Sequence, residues 1–192
     1  MDILELIKNR TTTKRFNNKP IPIKLINKVI DAGVWGPSIL GLQPWKFIVI
    51  VNRNVIKEFS NIIKNKSEEI NVASNIVYSV ANVISNAQVV IAVYNTKIAS
   101  KRINKVGKVY GEIVKTAEVE AISAAIQNMI LIAESLGIGT CWLDIPLICE
   151  DRINKFLNVD DQLIAVLGLG YPVRGGLRAP RRKIKETVIY IK

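Results

Sequence analysis

The sequence has 192 residues, of which 49% are hydrophobic and 22% are charged, a balance that is typical of a globular protein with one sizeable core. We therefore expect a single domain over residues 1–192. The net charge is +11, and histidine is absent. Without histidine there can be no Ser-His-Asp triad, no Cys-His pair and no histidine-ligated metal site, and two cysteines are too few for a zinc site.

The start of the sequence and its apolar runs predict a cytoplasmic protein. The opening stretch MDILELIKNR carries two acidic residues and no continuous apolar segment, which is unlike a signal peptide. The longest apolar runs, such as VVIAVY and MILIA, are too short to cross a bilayer. The two cysteines, Cys141 and Cys149, do not indicate a disulfide framework.

Hydrophobic periodicity predicts regular elements through the first half of the chain. They are a short helix over 2–9, a helix over 23–34, a strand over 46–51 and a helix over 53–66. The stretch 67–86 is polar and rich in small residues, and we interpret it as a mobile cover of ambiguous structure. Residues 87–94 are almost continuously apolar, which predicts a central strand buried on both faces.

One long helix dominates the second half. Residues 95–115 are expected to run over the surface. Residues 116–136 predict the longest helix, and because its apolar residues cover more than one face, we expect burial against both the core and a partner subunit. The remaining pattern predicts a strand over 138–143, a helix over 147–157, a strand over 162–169 and a last strand over 187–191.

Together these elements predict an α+β fold, in which a mixed, mainly antiparallel sheet lies between helices in a sandwich. No internal repeat and no regular βαβ pattern is visible in the sequence. There is also no Walker loop and no paired-carboxylate signature. An enzyme with this sequence would therefore depend on a bound cofactor for its chemistry.

One loop has the composition of a ligand site. Residues 37–45, Pro-Ser-Ile-Leu-Gly-Leu-Gln-Pro-Trp, connect the second predicted helix to the first predicted strand. The prolines and the glycine predict a tight, ordered loop, and Ser38 and Gln43 are polar groups among apolar neighbours. A plain connection capped by tryptophans is the alternative interpretation.

The basic residues form three clusters. The first includes Arg10-Thr-Thr-Thr-Lys14, whose cations and hydroxyls suit an anionic oxygen ligand, with a surface turn as the alternative. The middle cluster, from Lys97 to Lys108, is interpreted as a solvated face. The third lies between residues 174 and 185. The charge also leaves open a nucleic-acid-binding module, but aromatic residues make up only 6% of the chain and lie mostly in apolar runs.

Five motifs follow one another along the chain. They are Arg10-x-Thr12-x-Lys14, Pro37-Ser38-x-x-Gly41-x-Gln43-Pro44-Trp45, Gly137-Ile-Gly139-Thr-Cys-Trp142, Gly168-x-Gly170-Tyr-Pro172 and Arg181-Arg182. With these motifs the chain resembles the nitroreductase family of FMN-dependent oxidoreductases over essentially its whole length. The resemblance implies an intertwined homodimer with FMN at the subunit interface. It also implies a ping-pong reaction, in which NADH or NADPH reduces FMN and leaves before a nitroaromatic or quinone acceptor takes the electrons.

The resemblance further implies which residues bind FMN. The residues that match the family's segment for binding the phosphate and the ribityl chain are Arg10, Thr11, Thr12 and Lys14. The C-terminal basic pair that closes on the phosphate is Arg181 and Arg182. The loop that reaches the flavin of the partner subunit contributes Pro37, Ser38, Ile39, Gly41 and Gln43. The segment along the ring near N5 is Cys141, Trp142 and Leu143. No obligatory acid–base side chain and no metal are expected.

Two of these positions depart from the family pattern. Gly41 stands where asparagine is usual, and Ile39 stands where a small residue is common. The resemblance then implies a missing amide contact near the flavin and a more crowded face of the ring. These departures leave open a second function, that of a flavin-storing or flavin-consuming protein of the same fold.

Overall fold

The computed structural model describes residues 2–70, 74–103, 108–176 and 178–191. Its centre is a sheet of four strands: β1 (Trp45–Ile50), β2 (Val89–Asn95), β3 (Gly139–Leu143) and β4 (Gln162–Gly170). The strand order is β1-β2-β4-β3, and each neighbouring pair is antiparallel. The predicted α+β fold with a mainly antiparallel sheet is therefore confirmed.

The central strand β2 explains why the sheet has two covered faces. All seven of its residues are buried. Val90, Ala92 and Tyr94 belong to the core on one side of the sheet, and the alternating residues Val89, Ile91 and Val93 belong to the core on the other side. Because successive side chains of a strand point to opposite faces, a strand that is buried along its whole length needs a layer of helices on each side.

Seven helices supply these layers and their connections in the described residues. The first face of the sheet is covered by α2 (Ile23–Val34) and α6 (Lys108–Ser135), with Ile26, Ile122 and Met129 in the core between them. The second face is covered by α3 (Arg53–Glu69), α4 (Ser74–Asn86) and α7 (Glu150–Leu157). The two short helices are α1 (Ile3–Asn9) and α5 (Ile98–Ile103). Three 3₁₀ turns lie at Ile39–Gly41, Ile145–Cys149 and Ile184–Glu186.

The stretch predicted as an ambiguous, mobile cover belongs to the core. Residues 74–86 form α4, in which Val77, Ala81 and Ile84 are buried. Ser60 on α3 donates a hydrogen bond from Oγ to the carbonyl oxygen of Ala81, 2.7 Å away. The small residues that obscure the helical pattern in the sequence thus allow α3 and α4 to pack closely. The part of the prediction that concerns residues 71–73 lies outside the described residues.

The stretch 95–115, predicted to run over the surface, is largely helical where it is described, and residues 104–107 of the prediction lie outside the described residues. Residues 98–103 form α5, and α6 already begins at Lys108. Val114 and Glu118 are both 0% exposed, so the first turns of α6 are anchored to the rest of the chain. Lys101 and Arg102 mark the solvent-facing side of α5, while Ala99 on its opposite side is buried.

The last predicted strand is not formed. Residues 187–191 have no strand structure, and Ile189 and Ile191 are 90% and 95% exposed. The apolar alternation is present, but a strand also needs a neighbour for its backbone hydrogen bonds, and no described residue pairs with this segment. The outer edge of β1 is likewise unpaired within the described ranges. As for membranes, the helices of the described ranges include none with enough length and hydrophobicity to cross a bilayer.

Candidate flavin site

The segment from Arg10 to Asn17 runs along the outer edge of β3. The amide of Thr13 donates to the carbonyl oxygen of Thr140 at 2.8 Å, and Thr12 and Thr140 form a parallel bridge. Further along, the amide of Asn17 donates to the carbonyl oxygen of Tyr171 at 2.8 Å. These bonds place the first sequence motif beside the third and the fourth, although more than a hundred residues separate them in the chain.

Two glycines, Gly139 of the third motif and Gly176 in the loop after the fourth, make this close approach possible. A Cβ atom at Gly139 would overlap the side chain of Thr13. A Cβ atom at Gly176 would lie 2.5 Å from the carbonyl oxygen of Thr12 and 2.8 Å from Oγ1 of Thr11. Any larger residue at either position would push the Arg10–Lys14 segment away from the sheet.

A cavity of about 380 Å³, called here the Arg10 cavity, opens where these segments meet. It brings together four residues predicted from the sequence to lie at one site: Arg10, Thr12, Trp142 and Arg181. The rest of its lining is Ile7, Gln127, Ile130 and Thr140. The cavity thus combines two guanidinium groups, three neutral polar side chains and an apolar wall.

A second cavity of about 590 Å³, called the Lys14 cavity, adjoins the first, because Thr12 borders both. Its cationic lining residues are Lys14, Arg15 and Arg174, and the remainder is Thr12, Thr13, Gly175 and Gly176. Lys14 was predicted at the site. Arg15 and Arg174 were not, although both belong to basic clusters that were visible in the sequence.

Two other residues of the Arg10 cavity were missed by the sequence analysis. Thr140 lies inside the motif Gly137-Ile-Gly139-Thr-Cys-Trp142 and could have been found there. Gln127 is a polar residue in the middle of the apolar helix α6, and that contrast was the available signal. Both side chains can donate and accept hydrogen bonds at the cavity wall.

The charges around these cavities are mostly positive. Burial raises the pKa of the Glu134 carboxyl, while the nearby guanidinium groups of Arg10 and Arg178 act in the opposite direction. Arg178 also donates from Nη2 to Oδ1 of Asn9 at 2.7 Å, which ties the C-terminal segment to the end of α1. An anion bound here would therefore meet more cations than carboxylates.

The β3 residues contribute in different ways. Cys141 and Leu143 are 2% and 7% exposed and lie in the core, so only their backbone can face a ligand. Burial raises the pKa of the Cys141 thiol, which the charge of Lys14 partly offsets, and the group is a thiol at neutral pH. Trp142 borders the Arg10 cavity, and its Nε1 donates to Oδ1 of Asp144 at 2.9 Å, which fixes the indole ring.

Several predicted residues lie outside both cavities. Thr11 and Arg182 line neither one. The five loop residues predicted to reach a flavin are also absent from both linings: Pro37, Ser38, Ile39, Gly41 and Gln43. The loop packs instead on another face of α6, because a Cβ atom at Gly36 would lie 3.0 Å from Cα of Ala125. Within one chain, the loop at 37–43 is therefore separate from the predicted site residues that line the two cavities.

The loop itself is tight and ordered, as predicted. Ser38 Oγ accepts a hydrogen bond from the amide of Gln43 at 3.1 Å. Leu40, Gly41 and Gln43 have φ angles of 51°, 66° and 47°, which is the left-handed region. Glycine and asparagine are the residues that tolerate this region best, so the backbone at position 41 suits both the glycine found here and the asparagine usual in the family.

Comparisons with known proteins show the family to which the chain belongs. The family model described as the nitroreductase family matches residues 7–171. A protein of Methanothermobacter thermautotrophicus, provisionally named NADH dehydrogenase/NAD(P)H nitroreductase, is 30% identical over 90% of this chain and 78% of its own length. A solved nitroreductase with bound FMN from Bacteroides fragilis superposes over the full length of both chains, with a TM-score of 0.77 and 22% identity. A BluB-like flavoprotein from Clostridium difficile gives 0.79 and 25%, also over both full lengths.

Proposed function

The chain belongs to the nitroreductase family, and we propose that it uses FMN to take hydride from NADH or NADPH and to pass electrons to a small organic acceptor. As a member of this family the protein is an oxidoreductase. The observation that carries the proposal is the Arg10 cavity, which collects Arg10, Thr12, Trp142 and Arg181 from three distant parts of the chain.

The residues of the two cavities fit FMN. Arg10 and Arg181 would hold the phosphate, because guanidinium groups form paired, charge-assisted hydrogen bonds with phosphate oxygens. The hydroxyls of Thr12 and Thr140 and the amide of Gln127 suit the ribityl chain. The adjoining Lys14 cavity supplies further positive charge, and Ile7, Ile130 and Trp142 supply apolar contact for a ring system.

The chemistry of the reaction would come from the cofactor. FMN, when bound, accepts a hydride from a nicotinamide and returns electrons to an acceptor. The chain's own part is to bind and orient: Trp142 is fixed by Asp144, and the buried Cys141 and Leu143 hold the β3 backbone in place beside the cavity. A buried, protonated thiol at Cys141 has no nucleophilic role in this scheme.

A homodimer would complete the site. The side of α6 that faces away from the core carries the apolar residues Val109 and Ile113, which lie one turn apart and are 79% and 56% exposed in the single chain. Exposed apolar residues in one row favour a protein partner. The exposed tail at residues 187–191 and the open edge of β1 are complementary features, since each lacks a strand neighbour. In such a dimer the loop at 37–43 would reach the FMN of the partner subunit.

A ping-pong order follows from one shared binding face. If reductant and acceptor both reach the same side of the cofactor, the oxidised nicotinamide must leave before the acceptor enters. We propose nitroaromatic or quinone compounds as acceptors, because both accept electrons without a catalytic acid from the chain.

A second candidate is a flavin-storing or flavin-consuming protein. It is favoured by the loop, where Gly41 offers no side chain and a Cβ atom there would meet no other atom within 4 Å. The similarity to a BluB-like flavoprotein is compatible with either candidate. The two candidate functions differ in whether NADH reduces the bound flavin and whether an acceptor then oxidises it again.

The visible absorption spectrum of the freshly purified protein tests both candidates. We expect a yellow protein that releases about one FMN per chain on denaturation, in keeping with a protein-supplied site for the cofactor. Anaerobic NADH or NADPH should bleach it, and a quinone should restore the colour. Bound flavin that neither nicotinamide bleaches would support the second candidate. A protein that is colourless and does not bind added FMN would contradict both.

A further inference from the structure

The middle basic cluster has no role in the function proposed so far, although two of its members line a cavity of their own. This cavity, called the Lys101 cavity, has a volume of about 450 Å³. Lys101 and Arg102, from the last turn of α5, form its cationic side, and Gln43, Thr96 and Ile98 form the rest. It therefore lies between α5 and the loop at 37–43.

The helix that carries the two cations is anchored unusually firmly for an element of six residues. The carboxylate of Glu118, on α6, is 0% exposed and accepts from the amide of Ala99 at 2.9 Å. Both the amide and the hydroxyl of Ser100 donate to it as well, and Asn95 donates from Nδ2 at 3.3 Å. A buried carboxylate with this many donors fixes α5 on α6.

The other wall of the cavity is tied to the same segment. Thr96 donates twice to the carbonyl oxygen of Pro44, from its amide at 2.8 Å and from Oγ1 at 3.1 Å. Gln43, which precedes Pro44, is held in its left-handed conformation by the bond to Ser38 Oγ. The spacing between the backbone of the loop and the backbone of α5 is thus set by the fold before any ligand binds.

The two cations have no carboxylate partner among the residues of the described ranges. Neither Lys101 nor Arg102 takes part in the ion pairs found there, and both side chains are exposed. Two adjacent cations in a preformed cavity, together with the neutral amide and hydroxyl of Gln43 and Thr96, are the groups that bind a phosphate or a carboxylate. A cluster of cations that served only solubility would not need a helix anchored by a buried carboxylate.

We propose that the Lys101 cavity binds the anionic group of one of the enzyme's two substrates, a phosphate or a carboxylate. This inference rests on the proposed function, because the loop that forms one wall is the loop proposed to reach the partner's FMN. An oxyanion held there would position the rest of the molecule at the flavin. Two sources have this chemistry: the 2′-phosphate of NADPH and an acidic group on the electron acceptor.

The test is the double variant K101Q/R102Q, compared with K24Q/K28Q. The control removes the same charge from two exposed lysines on α2, which line neither the Lys101 cavity nor the two cavities of the candidate flavin site. Steady-state kinetics are measured with two matched pairs, NADPH against NADH and 4-nitrobenzoate against its methyl ester. In each pair only the anionic group differs.

We expect K101Q/R102Q to raise the ratio of KM for the anionic member to KM for the neutral member about tenfold in one pair, as the loss of charge-assisted hydrogen bonds predicts. The pair that changes identifies the source. K24Q/K28Q should leave both ratios at the wild-type value. Ratios that stay at the wild-type value in both pairs for K101Q/R102Q would overturn the proposal.

Calorimetry measures binding at the anion site without relying on the proposed enzyme activity. Binding of adenosine 2′,5′-bisphosphate and of 4-nitrobenzoate is measured directly on the purified wild-type chain and on both variants. We expect one of the two probes to lose about tenfold in affinity in K101Q/R102Q only. The same selective loss in a chain that binds no added FMN would refute the oxidoreductase mechanism and retain the anion site. Equal affinity of all three proteins for both probes would overturn the anion site, whatever the flavin content.

Discussion

Ser100 donates two hydrogen bonds to the buried carboxylate of Glu118, from its amide to Oε1 at 2.9 Å and from its hydroxyl to Oε2 at 2.6 Å. Glu118 has no exposed surface, and its carboxylate is compensated by donors from α5 and from Asn95 rather than by a cation. This one side chain therefore holds α5, and with it the Lys101 cavity, on the long helix of the fold.

Replacement of Glu118 by alanine should lower the free energy of unfolding by about 3 kcal/mol, because it leaves buried backbone amides without acceptors. Glutamine should cost less, because its carbonyl oxygen still accepts from the amides. Urea unfolding measures both. The control is Glu120→Ala, an exposed position on the same helix. Equal stability of Glu118→Ala and Glu120→Ala would contradict the structural role assigned to the buried carboxylate.

Arg10→Ala should weaken FMN binding by roughly tenfold to a hundredfold while the fold is retained, since it removes charge-assisted hydrogen bonds to the phosphate. The flavin-to-protein ratio after gel filtration and a fluorescence titration with FMN measure the loss. Lys8→Ala removes the same charge from α1 at an exposed position that does not line the Arg10 cavity. If both variants retained the wild-type flavin content, Arg10 would not be a phosphate ligand.

Ile113→Glu should convert a dimer into a monomer, because it places a charge in the exposed apolar row of α6. Light scattering after gel filtration gives the mass, which we expect to be twice that of the chain for the wild type. The matched control is Ile76→Glu on α4, because Ile76 and Ile113 are both 56% exposed. The monomer should also lose flavin, since the loop at 37–43 would no longer reach it. A wild-type monomer would refute the dimer.

Glu69 should contribute to a loss of stability in acid. Its carboxylate pairs with Arg152 at 2.6 Å and with Lys66 at 2.9 Å, and hydrogen bonds from these two cations lower its pKa from 4.5 to about 2. A lowered pKa in the folded state stabilises the protein above the unfolded value of 4.5, and this contribution is lost as the pH falls towards 2.

Urea unfolding of the wild type and of Glu69→Gln tests this relation. The wild type should be the more stable protein at pH 6, by a small margin because the pair is exposed to solvent. The margin should shrink between pH 4.5 and pH 2. Glu68→Gln, an exposed neighbour, serves as the control. A margin that does not depend on pH would show that the ion pairs do not form in solution.

Neither cysteine should react with a thiol reagent in the native protein. Cys141 and Cys149 are 2% and 3% exposed, and burial raises the pKa of both thiols. Because the thiolate is the reactive form, both low access and low ionisation slow the reaction. Titration with an aromatic disulfide reagent should find no reactive thiol before denaturation and two afterwards. A fast reaction in the native state would contradict the burial of β3 in the core.

The sequence predicted much of the sheet and half of the residues that line the Arg10 cavity. Strands such as β2 were found because their apolar runs are continuous, and Arg10, Thr12 and Arg181 were found because their motifs resemble those of the nitroreductase family. The position of Arg174 at the Lys14 cavity was missed, since the sequence does not show where a loop folds back onto the N-terminal segment.

Other features depend on tertiary contacts that local patterns do not contain. Glu118 has the composition of a solvent-facing helix residue, and only the packing of α5 shows that it is buried. The segment 187–191 has the alternation of a strand, yet none of the described residues pairs with it. In the proposed dimer a second molecule would supply the missing strand neighbour, which a single sequence does not display.

The pairing of the first residues with the last ones also determines when the candidate flavin site can exist. Thr12 needs Thr140, and Asn9 is joined to Arg178 across 169 positions of sequence. During synthesis Arg10 is therefore made early, long before Thr140, Arg178 and Arg181. Contacts this distant in sequence close late, after the local helices and hairpins. A chain that ended before Arg178 would contain all four strands of the sheet but would lack both Arg178 and Arg181.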